Sequence, residues 1–152
     1  MTLVEFNDEN AQKVYDFYNN LSTDMSTEYY LNHNYFLDTV ASMGMGFSAL
    51  KFVKRVIIDD DEKKVLKKLN ESAKVFPNLE QLKDYLVNED DEEYVNKIVA
   101  FNKLLQQLYK IAIEAEKENL NWQDREFRDN SEVNSLIEKA TNLVTKYMAS
   151  YS

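Results

Sequence analysis

At 152 residues the chain has the length of one ordinary domain, and its 44% hydrophobic content is enough to fill a core. It carries no cysteine, one histidine, one proline and two glycines, with a net charge of −9. That composition excludes disulfides, thiolate metal sites and paired-histidine chemistry, and it leaves little to interrupt a helix.

No apolar run approaches the roughly 20 residues of a membrane span. The opening MTLVEFNDEN lacks the basic-then-apolar pattern of a secretory leader. A cytoplasmic protein without membrane association is expected, and the sequons at Asn20 and Asn70 read as chance matches. The excess of Lys over Arg, 15 to 3, is the bias of A/T-rich codons and fits a low-GC bacterium or its phage.

The apolar period is helical nearly throughout. Asp8 is placed to cap a first helix carrying Ala11, Val14, Tyr15, Tyr18 and Leu21. A second opens at Ser26-Thr27-Glu28 and stacks Tyr29, His33, Phe36, Val40 and Met43. Gly44 and Gly46 then end or hinge it, as glycine does after helix C-termini. A short apolar helix follows through Leu50, Phe52, Val53, Val56 and Ile57.

Asp59 to Glu62 are expected to start the next helix, their charges on its positive end. Its stripe is Val65, Leu66, Leu69, Ala73 and Phe76, and Pro77 stops it. Asn78 with Gln81 reads as a capping box for a short helix through Leu79, Leu82 and Leu86. The longest helix spans about Asp90 to Lys117. Its apolar residues cover more than half the circumference, leaving Asn96, Lys103, Gln106, Gln107, Lys110 and Glu114 on a narrow polar arc. So wide an apolar face marks a central helix surrounded by others. Residues 119–130 form a polar connector with a helical turn near Trp122 and Phe127, and Trp122 plugs the end of the bundle. Ser131 caps a last helix with the stripe Val133, Leu136, Ile137, Ala140, Leu143, Val144, Tyr147 and Met148. The expected fold is one all-α domain over 1–152, a bundle of about six or seven helices around the long one.

Catalytic readings lack parts. One histidine cannot build di-iron, zinc-protease or two-histidine nuclease sites. Neither glycine leads a phosphate-binding loop, and Asp59 to Glu62 lacks the ligand spacing of a calcium loop. Paired carboxylates remain as a catalytic possibility, but 27 acids make such pairs unspecific. The expectation is a non-enzyme with no cofactor and no metal. His33, on the face of Tyr29, Phe36 and Val40, reads as a core-edge residue.

Charge is distributed in blocks. Residues 1–50 are net −6, residues 51–76 net +3, and residues 77–100 net −5 with the run Glu89, Asp90, Asp91, Glu92 and Glu93. Lys63, Lys64, Lys67, Lys68 and Lys74 fall on the polar face of the helix between the acidic blocks. That stripe reads first as a solvated face and second as a phosphate contact. Ten of the 19 aromatic residues lie in the first 52 positions. There Leu31, Tyr35 and Asp38, with Glu28, form a face opposite Tyr29 and Phe36. Tyrosine beside carboxylates is suited to an interface.

The leading expectation is therefore a non-catalytic module that binds a protein with a basic surface. Its candidate partner-binding residues are Glu28, Leu31, Tyr35, Asp38 and Glu89 to Glu93. Nucleic-acid enzymes, such as nucleases, have positive grooves that carboxylates could block by mimicry. In size, charge and lack of motifs the chain is similar to phage and mobile-element inhibitors, anti-CRISPR proteins among them, and to immunity proteins and antitoxins. That likeness is one of general profile and carries no motif. The alternatives are a helical assembly subunit that forms homo-oligomers and, third, nucleic-acid binding through Lys63 to Lys74.

Overall fold

The computed structural model describes residues 4–20, 45–61 and 63–150. The chain is an all-α multi-helix bundle. Among the described residues the α-helices are α1 (Glu9–Asn20), α2 (Met45–Val53), α3 (Lys64–Val75), α4 (Glu92–Glu116), α5 (Arg125–Asp129) and α6 (Ser131–Ala149). Short 3-10 segments cover Leu79–Tyr85 and Glu89–Asp91, and a π turn, Lys54–Ile58, extends α2. The proposed helix from Ser26 to Met43, with His33, lies outside the described residues.

The chain groups into two compact units. In the first, residues 1–33 and 60–102, α1 packs on α3 and on the 3-10 segment Leu79–Tyr85. Asp8 caps α1 as its spacing implies, its carboxylate accepting from the Ala11 N–H at 3.0 Å. The stripe Ala11, Val14, Tyr15 and Tyr18 is buried with Val65, Phe76, Leu79, Leu82, Val95, Ile98 and Phe101. An antiparallel bridge also joins Phe6 to Leu86. The Asn7 N–H donates to the Tyr85 carbonyl at 2.7 Å, and the Val87 N–H to the Glu5 carbonyl at 3.1 Å. Leu86 thus belongs to an extended pairing, not to the end of a helix.

Three local expectations in this unit are corrected. Asp59, Asp60 and Asp61 lie ahead of α3, whose first turn holds no acid. Asp60 still acts as a cap, its carboxylate accepting from the Lys64 N–H at 2.8 Å, because Lys63 adopts a left-handed turn with φ 53°. The buried stripe of α3 includes Ser72, while Ala73 is exposed. Asn78 makes no capping box: its side chain accepts from the Glu80 N–H two residues on, an Asx turn that suits a 3-10 start.

Tyr18 is 3% exposed, and burial pushes its phenol up to about 12 from an ordinary 10. The unfolded chain therefore releases this proton first, and ionisation above pH 10 favours unfolding. Stability from this group is intact below pH 10 and declines as pH rises towards about 12. The full loss is about 3 kcal/mol for two pH units. Urea titrations at pH 9 and pH 11.5 should show the decline, and Tyr18→Phe should reduce it. An equal decline in that variant would assign the effect elsewhere.

The second unit comprises residues 34–59 and 103–152. Here α2 packs along α6, and α5 packs against the same helix. Gly46 is the second residue of α2 and is buried, whereas Gly44 and the helix that the two glycines were expected to end or hinge lie outside the described residues. A Cβ there would strike the Ile137 carbonyl oxygen and the Thr141 hydroxyl, and would sit 2.7 Å from the Thr141 backbone nitrogen. Glycine is needed because α2 and α6 approach closely. The cap of α6 is Asn130, one residue before the expected Ser131. Its side chain accepts from the N–H groups of Glu132 at 2.9 Å and Val133 at 3.1 Å. Val133, Leu136, Ala140, Val144 and Tyr147 are buried.

The long helix matches its forecast. Residues 92–102 of α4 belong to the first unit and 103–116 to the second. Val95, Ile98, Phe101, Leu104, Leu105, Leu108, Ala112 and Ala115 are buried, and all six residues of the expected polar arc are exposed.

Candidate functional site

The run Glu89 to Glu93 forms the N-terminal entry to α4. Asn88, in extended conformation, turns its side chain to accept from the Asp90 N–H at 3.0 Å, and its carbonyl accepts from the Asp91 N–H at 3.0 Å. The Glu92 N–H returns to the Glu89 carbonyl. This closed turn fixes five carboxylates at the positive end of a 25-residue helix, where negative charge is favoured. Glu89, Asp90, Glu92 and Glu93 are exposed and Asp91 is half-buried. Glu92 pairs with Lys83 at 3.3 Å, so part of its charge is met within the chain.

Apolar groups lead directly into this turn. Tyr85 is 37% exposed and Val87 60% exposed, with half-buried Leu86 between them. Tyr85 closes the 3-10 segment, Leu86 pairs with Phe6, and Val87 follows that bridge. The Tyr85 ring meets Phe76 edge-on, centroids 5.8 Å apart and planes at 81°, which holds it in place. Val75, next to Phe76 in the chain, is 48% exposed. The surface thus offers an anchored aromatic, exposed aliphatic groups and a cluster of carboxylates.

The sequence reading named the acids but missed Tyr85 and Val87. Tyr85-Leu86-Val87 are three consecutive apolar residues, and no period in the sequence tells which of them is exposed. Glu28, Leu31, Tyr35 and Asp38 lie outside the described residues. Of the lysine stripe, Lys63, Lys64, Lys67 and Lys74 are exposed, while Lys68 is half-buried with its ammonium 6.0 Å from the Phe17 ring.

One carboxylate pair occurs in the second unit. The protonated Glu118 carboxyl donates a hydrogen bond to Glu132, and that bond, then desolvation and repulsion by the same group, holds it above its usual value. Among the described residues no three His, Asp or Glu side chains gather as a metal site, and no helix is long and apolar enough to cross a membrane.

Trp122 is buried and stacks on Phe127 at 4.6 Å and 23°. Its indole N–H finds no acceptor among the described residues. Lys54 Nζ lies 5.1 Å from the indole centroid and pairs with Glu116 at 2.5 Å and Asp59 at 3.2 Å. Burial would lower the pKa of this lysine, but the hydrogen bonds its ammonium donates to Glu116 and Asp59 outweigh it and leave it raised. The π turn creates this arrangement: the Asp59 N–H reaches back to the Lys54 carbonyl at 2.6 Å. Comparison of the chain with protein-family models, curated proteins and solved structures returns no match.

Proposed function

We propose that the protein is a non-catalytic binding module that sets its acidic surface against a basic protein partner. The partner class with the best fit is a nucleic-acid enzyme, whose substrate groove is positive, which would make this chain an inhibitor or immunity-type protein. The observation that carries the reading is the exposed pair Tyr85 and Val87 leading into the capped turn of Glu89 to Glu93. Charge of one sign steers encounter with a basic surface, while desolvated aromatic and aliphatic contacts slow release. Overall net charge of −9 supports the same direction of steering.

The test is capture of partners from the native host at low ionic strength, comparing wild type with Glu89→Lys/Asp90→Lys and with Tyr85→Ala. Recovery of a basic protein by wild type, reduced about tenfold by either variant and by high salt, is the expected result. The charge variant stays folded, because helix-end charges contribute only about 0.3–1 kcal/mol each. Equal recovery by all three proteins would remove this surface from the interaction. Salt-insensitive self-association in its place would favour the assembly-subunit alternative.

A further inference from the structure

A second feature belongs wholly to the other unit and is opposite in sign. Phe47, on α2, is half-buried, and its ring lies 6.0 Å from that of Phe127. Two cations converge on it. Lys51 Nζ is 5.2 Å from its centroid, and the Arg128 guanidinium carbon is 4.9 Å from it. Those two distances bound the gap between the charges at about 10 Å. Acids outnumber bases 27 to 18 in this chain, so carboxylate partners are abundant. Lys54, one turn along from Lys51, has two of them. Among the described residues neither Lys51 nor Arg128 pairs with a carboxylate, although Glu126 and Asp129 share the short helix with Arg128.

We infer that Lys51 and Arg128, ordered by the Phe47 ring, form a binding site for a phosphate group. Two like charges held on one ring repel each other, and a cation–π contact at the surface returns only a small stabilisation to each. A bound anion relieves that repulsion. Phosphate suits the pair better than a carboxylate does. The guanidinium fork takes two oxygens of either anion, which uses up a carboxylate and leaves Lys51 without a partner. A phosphate monoester has a third terminal oxygen for the ammonium, and its charge of about −1.5 to −2 matches two cations. The arrangement depends on fold: residues 47 and 51 lie one turn apart on α2, and α5 brings residue 128 to them.

The test is titration of the full-length, isotope-labelled protein with inorganic phosphate and, separately, with glycerol phosphate in low-salt buffer. Saturable amide shifts are expected at residues 47–51 and 125–128, and Arg128→Gln and Lys51→Gln should each weaken binding about tenfold. Lys146→Gln, an exposed lysine change on α6, should leave affinity unchanged. Equal affinity for the two ligands identifies a free-phosphate site, and tighter binding of the ester identifies a phosphorylated small molecule. Non-saturable shifts for both ligands, or equal weakening by the Lys146 variant, would overturn the site. Both variants replace partly or fully exposed side chains, and thermal melts will confirm that they fold.

Discussion

Gly46→Ala should be strongly destabilising although alanine is the better helix former. The gain in helix propensity is about 1 kcal/mol. Against it stands a Cβ driven into the Ile137 carbonyl oxygen, the Thr141 hydroxyl and the Thr141 backbone nitrogen. Two of those three atoms are backbone and cannot swing aside, so α2 and α6 must separate. Overpacking of this kind costs about 3 kcal/mol or more, giving a net loss near 2 kcal/mol. Urea unfolding of the variant measures it. Gly46→Ala combined with Thr141→Ala separates the causes. Removing the hydroxyl leaves both backbone contacts, so the double variant should remain close to the single one. Full recovery would show that the hydroxyl alone sets the approach.

Phe127→Ala should be the most damaging truncation, at about 3–5 kcal/mol. The ring is fully buried although α5 is only five residues long. It stacks on Trp122 and meets Phe47, so its loss leaves a cavity that a short helix is poorly placed to fill. Trp122 is the single tryptophan, and its emission reports the change directly. A shift to longer wavelength together with the stability loss is expected. A loss under about 1 kcal/mol with unchanged emission would mean that the site collapses around the missing ring.

These two residues show different degrees of legibility. The phase of α4 was readable because a 25-residue helix repeats its pattern many times, and each apolar position confirms the others. The same holds for α6, whose stripe has Val133, Leu136, Ala140, Val144 and Tyr147 buried and Ile137, Leu143 and Met148 half-buried. Caps were readable only to within a residue, since Asn130 and Ser131 are both good capping types and local geometry chose between them. Ala73 was misplaced because α3 is short, and its hydrophobicity says nothing about its phase. The close approach of α2 to α6 at Gly46 was not readable, because glycine's usual place at helix ends does not distinguish a site where two helices touch.

The candidate surfaces divide the same way. The acid run from Glu89 to Glu93 is contiguous and visible in one line of sequence. Tyr85 and Val87, both exposed, flank Leu86, which pairs with Phe6 some 80 residues earlier in the chain. Phe47, Lys51 and Arg128 meet through the same kind of long-range closure.

By itself, the sequence determined that the chain is helical, where its long amphipathic faces lie, that its charge comes in blocks, and that it lacks the parts of several catalytic sites. These properties depend on residues within a few turns of one another, where spacing translates directly into geometry. The tertiary structure alone decided which helices touch closely, where the π turn sets Lys54, and which cations share the Phe47 ring. Each of those follows from contacts between segments far apart in the chain, whose registry no local periodicity encodes.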